Sequence, residues 1–279
     1  MKSVAFFILS FLLFSFVLWV AMPYPFSMAE EPSQQKLHAG TDDNWEFGVV
    51  PYIWFMSMNG DATVKGNTAS VDSSFSDIWD SLNFGLMGIL QVRKGRIGGY
   101  ADILYARLHT ENAGLGPAGG TAASNATMVI ADVVGFYRLG AFPLSSSDAT
   151  PSVTLDPYVG FRSWTVRMGL NVRPTLTPTI SVEGRQVWFD AIGGIRSNWD
   201  FADSWNAILK ADVGGGSSDV TAQGLLTFGY RFDMWGQKNA NVQLGYRVLY
   251  VDFSSGDTPQ SFGLNATMHG PILGLGVTF

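Results

Sequence analysis

The stretch Pro271–Phe279 reads P-I-L-G-L-G-V-T-F. Pro271, Leu273, Leu275, Val277 and Phe279 fall on one face, and Ile272, Gly274, Gly276 and Thr278 on the other. Strict alternation is the period of a β-strand. One face is large and apolar while the other is mostly small. A strand half-exposed to water would carry polar groups instead, so this one suits a wall with lipid outside and a crowded interior. Beyond the first 29 residues the chain has no apolar run near the roughly 20 residues of a transmembrane helix. Charged residues make up only 14% of it, against roughly 25% in soluble domains. A soluble protein so poor in charge risks aggregation. A membrane structure without helices must be a closed barrel, which satisfies every backbone group between strands.

The front of the chain agrees. Met1 and Lys2 precede an apolar run over Val4–Val20, and Ser27-Met28-Ala29 is a small-x-small cleavage site. Residues 1–29 are expected to be a secretory signal peptide, residues 30–44 a polar periplasmic lead-in, and residues 45–279 the barrel. There is no cysteine, so neither disulfides nor thiol chemistry are expected. A net charge of -6 excludes a nucleic-acid partner, which needs a basic surface. No metal or cofactor motif is present.

The alternation predicts ten antiparallel strands, with eight or twelve left open: Trp45–Phe55, Asn83–Arg93, Arg96–Leu108, Ala126–Arg138, Val153–Val172, Thr179–Asp200, Ser204–Gly214, Val220–Phe232, Asn241–Phe253 and Thr267–Phe279. Met56–Leu82 is too long for a tight turn. Ala62–Val71 fits a small hairpin around Gly66-Asn67. Ser74–Leu82 fits a short helix with a capping box at Ser74 and Asp77. Both termini then lie on the periplasmic side. Lys94-Gly95 and Phe201–Asp203 are short, as periplasmic turns should be, and Met56–Leu82 and His109–Asn125 are long, as extracellular loops should be. The connection Gly140–Ser152 fits less well. Aromatic residues are expected to form two interfacial girdles. The lower includes Trp45, Phe136, Tyr137, Trp199, Phe201, Trp205, Phe232 and Trp235. The upper includes Phe55, Tyr105, Trp164, Trp188, Tyr250 and Phe253.

Four strands repeat one triplet: Gly160-Phe161-Arg162, Gly194-Ile195-Arg196, Gly229-Tyr230-Arg231 and Gly245-Tyr246-Arg247. The middle residue faces out, and Gly and Arg face the lumen, with the Gly leaving room for the long Arg. Glu46, Asp102, Asp132, Asp156, Asp190 and Asp212 are expected to point inward as well, joined by Lys210. Poorly solvated charges should pair. The set reads as an ion-pair network filling a barrel too small to hold much else. The same residues read alternatively as the lining of a narrow path for ions or small solutes. The motif D-x-x-x-G-x-R occurs at Asp156–Arg162 and Asp190–Arg196. A turn centred near Leu176 would set Asp156 against Arg196 and Asp190 against Arg162.

Enzymatic activity is the third reading, as a lipid hydrolase or protease. Of the three histidines, His38 lies in the lead-in, and His109 and His269 lie near outer strand ends. Ser254, Ser255 and Ser261 are near, but no motif singles out a nucleophile.

The terminal strand ending in Phe279 resembles the closing signature of bacterial outer-membrane β-barrels. More narrowly, W-E-F-G-V-V-P-Y-I-W (Trp45–Trp54), D-P-Y-V-G-F-R (Asp156–Arg162), A-D-V-G-G (Ala211–Gly215), Gly245–Arg247 and Gly270-Pro271 resemble an uncharacterised group of Gram-negative barrel proteins. The resemblance implies an all-β, transmembrane, antiparallel up-and-down barrel in the cell outer membrane. The expected partners are outer-membrane lipid, lipopolysaccharide and the barrel-assembly machinery, the last through Phe279. It implies no particular activity, so the expectation is a non-enzymatic barrel with a charged, largely filled lumen.

Overall fold

The computed structural model describes residues 44–114, 120–144, 151–174, 180–234, 237–257 and 261–279. The leader at 1–29, nearly all of the lead-in at 30–44, His38, most of the turn placed at 174–178 and Trp235 lie outside the described residues. The elements are β1 (Trp45–Trp54), β2 (Ser57–Val64), β3 (Asn67–Ser73), α1 (Phe75–Ser81), β4 (Leu82–Lys94), β5 (Ile97–Gly114), β6 (Gly120–Tyr137), β7 (Gly140–Pro143), β8 (Ser152–Pro174), β9 (Ile180–Asp200), β10 (Trp205–Gly216), β11 (Val220–Met234), β12 (Gln237–Ser255) and β13 (Phe262–Thr278). No helix among the described residues is long and apolar enough to cross a membrane.

Ten strands close a barrel in the order β1-β4-β5-β6-β8-β9-β10-β11-β12-β13, and β13 returns to β1. Every barrel pair is antiparallel. Closure sets Val49 against Val277 and Trp54 against Ile272. Backbone bonds between Phe47 and Phe279 carry the ladder to the last residue, at 3.1 and 2.8 Å. A closed wall has no free edge, so its backbone groups need no water.

Above Trp54 the strand is interrupted at Phe55 and Met56. The Phe55 N–H donates to the Pro271 carbonyl at 2.8 Å. Opposite the interruption, Gly270 has φ +156°, and a Cβ there would lie 2.0 Å from the Phe55 carbonyl oxygen. Past it β2 resumes the pairing in the same register, with Ser57 against His269, and β3 folds back on β2. The hairpin turn is Lys65-Gly66, one residue before the expected position. Both residues have positive φ, 50° and 78°, as a two-residue turn matched to strand twist requires.

The strands run further than alternation indicated. The expected loop His109–Asn125 is largely wall, since β5 continues to Gly114 and β6 begins at Gly120. The length assigned to extracellular loops thus goes mainly into taller strands. At the opposite end, part of Gly140–Ser152 forms β7, a short arm paired with the foot of β8.

Outward positions are apolar and exposed: Val159 70%, Phe161 65% and Leu244 61%. The middle residues of the four repeated triplets all face out. The girdle expectation fails for four aromatics. Phe136, Trp164, Trp188 and Phe253 are buried in the lumen. Their sequence parity matches that of the inward Asp132, Arg162, Asp190 and Arg247, and parity decides the face of a strand.

The triplet glycines also serve a purpose other than the expected one. A Cβ at Gly160, Gly194 or Gly245 would lie 2.2, 2.2 or 2.1 Å from a carbonyl oxygen of the neighbouring strand. Close backbone approach, rather than space for the arginine, excludes a side chain there. Gly245→Ala should therefore cost about 1–3 kcal/mol by overpacking. Gly224, where an added Cβ meets nothing within 4 Å, should accept Ala within about 0.5 kcal/mol. Urea unfolding midpoints in lipid vesicles compare the two.

Helix α1 carries the expected cap. The Ser74 hydroxyl accepts from the Asp77 N–H at 3.3 Å, and the Ser74 N–H donates to the Asp77 carboxylate at 2.9 Å. Phe75 packs edge-on against Phe55 with ring centroids 5.0 Å apart, so the apolar stripe is half-covered. Hydrogen bonds from the Ser74 side chain and backbone hold the Asp77 carboxyl below its ordinary range. A depressed carboxylate contributes stability that is complete above its unfolded pKa and lost as pH falls through its folded one. Exchange of the Ser74 and Ile78 amide protons should accelerate across that acidic window, and Asp77→Asn should remove the pH dependence.

Candidate functional site

The barrel core is its lumen, arranged in two layers. The layer towards β2 and α1 is apolar. Trp164 and Trp188 stack with centroids 5.5 Å apart and planes 6° apart. Trp188 stacks on Phe253 at 4.1 Å and 7°, and Phe253 meets Phe262 at 6.1 Å. Leu104, Ile130, Leu249, Leu264 and Met268 fill the space around them. The indole N–H groups of Trp164 and Trp188 have no hydrogen-bond partner among the described residues.

The second layer is charged and centres on Arg162, which is fully enclosed. Strand β8 presents it between β6 and β9, with Asp132 directly opposite on β6. Its Nε and Nη2 donate to the two Asp132 carboxylate oxygens at 2.8 and 2.9 Å. Nη2 also donates to Asp212 at 3.0 Å and Nη1 to the Thr221 hydroxyl at 3.1 Å. The second Asp212 oxygen accepts from the Tyr158 hydroxyl at 2.7 Å and from the Gln223 amide at 2.9 Å. Gln223 Oε1 accepts from Arg247 Nε at 2.8 Å. Arg247 Nη1 donates to the Tyr52 hydroxyl at 3.0 Å and lies 3.3 Å from Asp102. Tyr52 donates to Asp102 at 2.7 Å. Lys210 lies 3.9 Å from Asp132 and over the Tyr100 ring at 4.7 Å. Asp102, Asp132 and Asp212 thus balance Arg162, Arg247 and Lys210.

A smaller cluster lies towards the foot of β8. Asp156, fully buried, faces Arg196 in register and accepts from its Nη2 at 2.9 Å. Arg138, which the sequence reading did not single out, holds the same carboxylate at 2.9 and 3.0 Å. Arg196 also lies over the Phe136 ring at 4.5 Å.

Asp190 and Arg162 are opposed in register, but the ion pair expected between them is replaced. Arg162 turns to Asp132 and Asp212. The Asp190 carboxylate accepts from the Ser218 N–H at 2.7 Å and hydroxyl at 2.8 Å. Glu46 pairs with Arg93 and Arg231 with Asp200, both apart from the central cluster. Tyr52, Tyr158 and Gln223 share the parity of inward charges, the one signal that marks them in the sequence. Outside the lumen, His269 shares hydrogen bonds with the Tyr246 hydroxyl at 2.7 Å and Asn59 at 3.0 Å. His109 bonds Asn125. Neither contact brings in a serine.

No protein-family description matches the chain, and no curated protein matches it. Among solved structures it is similar to the translocator domain of the autotransporter NalP from Neisseria meningitidis, at 11% identity and a TM-score of 0.44, over 88% of this chain and 91% of that one. It is also similar to a Pseudomonas aeruginosa FadL homologue, at 11% identity and 0.27, over 84% and 90%. A third is the CymD monoaromatic hydrocarbon channel, at 9% and 0.25, over 85% and 88%. These likenesses are distant, and the closed barrel rests on the strand pairings themselves.

Removing one member of the central cluster leaves a buried charge uncompensated. Asp132→Asn should destabilise the barrel by on the order of 3–5 kcal/mol. Glu46→Gln, whose side chain is 41% exposed, should cost no more than about 1 kcal/mol. Urea unfolding followed by tryptophan fluorescence separates the two.

Proposed function

We propose that the protein is an integral outer-membrane barrel with a sealed lumen, serving a structural or interaction role rather than conducting solutes or catalysing a reaction. One observation carries this reading: at the level of Arg162 the inward side chains are enclosed by one another. Asp132 is 1% exposed and Asp212 7%. A water-filled path would leave the charged groups lining it open to solvent. Here Tyr52, Tyr100, Lys210 and Arg247 are buried at the same level, and the aromatic layer lies beyond them.

The membrane assignment is supported by the outward face. Exposed Val159, Phe161, Phe189, Phe228 and Leu244 belong to an apolar surface spread over adjacent strands, too extensive for a monomer in water. The even count of antiparallel strands in the closed wall supports the outer membrane in particular. Phe279 remains half-exposed while its backbone is locked to Phe47, so its ring is presented at the closing seam, where an assembly partner would meet it.

Purified full-length protein in a planar lipid bilayer tests the reading. We expect no stable open current in the presence of folded barrel, verified by heat-modifiable migration. A stable, salt-dependent single-channel current would overturn the sealed lumen in favour of a small-solute or ion channel.

A further inference from the structure

The outward face of the wall carries an unbalanced row of arginines. Arg107 on β5 is opposite Thr127 on β6, Thr127 is opposite Arg167 on β8, and Arg167 is opposite Arg185 on β9. The four positions form one unbroken rung across four neighbouring strands. Their parity is outward, and all three arginines are exposed. None of the three forms an ion pair among the described residues. The nearest acid in register on this face, Glu183, sits one outward step above Arg185, opposite Gly169.

Two features set this row apart from solvated surface charge. First, Arg167 and Arg185 are directly opposed, and like charges in that relation destabilise a sheet. The chain has a net charge of -6, so three unopposed cations on one rung run against its overall balance. Second, the row stands at the edge of the apolar band. On β5 the outward residues Ile97, Gly99, Ala101, Ile103 and Tyr105 carry no charge, and Arg107 follows. On β9 Ile195, Gly193, Ala191, Phe189 and Val187 carry none, and Arg185 follows. On β8 Val159, Phe161, Ser163 and Thr165 carry none, and Arg167 follows. Each arginine is the first charged outward side chain above an uncharged stretch.

We propose that this row binds the phosphorylated headgroup of an anionic glycolipid in the leaflet that surrounds the β2–α1 end of the barrel. The proposal rests on the membrane reading above and adds a ligand class to it. Three strand spacings of about 4.8 Å make the rung roughly 15 Å long, enough for a headgroup bearing more than one phosphate. Planar guanidinium groups suit phosphate oxygens in paired hydrogen bonds. An anion seated between Arg167 and Arg185 removes the repulsion that the bare sheet carries. Neutral lipid offers no such compensation.

The test uses full-length protein in phosphatidylcholine vesicles, with and without lipopolysaccharide, and the variants R185Q and R107Q/R167Q/R185Q. Without lipopolysaccharide, R185Q should unfold at a higher urea concentration than wild type, because a like-charge pair has gone. With lipopolysaccharide the order should reverse. Labelled lipopolysaccharide should bind the triple variant at least about tenfold more weakly, with a shallower salt dependence. Inorganic phosphate at the same phosphate concentration should not compete; equal competition would overturn the lipid assignment in favour of a free anion. Equal lipopolysaccharide affinity in wild type and triple variant, with both inserted and heat-modifiable, would overturn the proposal and leave the barrel reading standing. A wild-type chain that fails to insert would overturn the membrane reading, and this proposal with it.

Discussion

The structure depends on keeping a guanidinium neutralised where no water reaches it. Arg162 is fully enclosed, and an isolated charge in such a place costs several kcal/mol even after relaxation. Three strands share the compensation: β8 supplies the arginine, β6 supplies Asp132, and β10 supplies Asp212 from beyond β9. The contact therefore does more than hold neighbouring strands together. It fixes the register of β6 against β8 and spans the four consecutive strands β6-β8-β9-β10 on the lumenal face. A slip of one residue would turn Arg162 outward and leave both carboxylates inside without it.

The same constraint accounts for the order of the layers. Charge is concentrated where neutral polar groups complete the ion pairs: Tyr52 donates to Asp102, Tyr158 and Gln223 donate to Asp212, and the Thr221 hydroxyl accepts from Arg162. Beyond that level the inward positions become Trp164, Trp188, Phe253 and Phe262, which need few polar partners. Arg247 joins the two layers, since its guanidinium reaches Tyr52 and Gln223 while its Cζ lies 4.9 Å from the centroid of the Trp54 ring. The aromatic stack shields the charges on one side, and the Arg138–Asp156–Arg196 cluster occupies the other.

Alternation made much of this legible. It placed Asp102, Asp132, Asp156, Arg162, Lys210 and Arg247 inside the wall, where the structure has them, because a period of two leaves only two faces to choose between. The capped helix at Ser74 and the hairpin before it were legible because caps and turns are local. The aromatic layer was missed for a physical reason. Trp164 and Trp188 stand mid-strand in β8 and β9 and Phe253 near the end of β12, and an interfacial ring and a lumenal ring can share a height and differ only in face. The extra length of β5 and β6 was illegible because Ala113, Gly114, Gly120, Ala122, Ala123 and Ser124 are residue types of weak strand preference. Their pairing is set by the backbone ladders to the neighbouring strands.

The two copies of D-x-x-x-G-x-R show where a sequence pattern stops determining contacts. The copies lie on paired strands in antiparallel register, so each Asp is opposite an Arg of the other copy. Symmetry of sequence would give two equal ion pairs, yet only Asp156 and Arg196 make one. The difference lies in the second neighbour of each strand. β8 has β6 on its far side, which offers Asp132 to Arg162 with two-point geometry that a single oxygen of Asp190 would have to displace. β9 has β10, which ends at Gly216 beside Asp190. The chain turns there, and Ser218 brings a backbone N–H and a hydroxyl onto the Asp190 carboxylate. The short β10–β11 connection thus supplies what the motif alone would have drawn from Arg162. That arginine is left free to bridge β6 and β10 along the lumenal face.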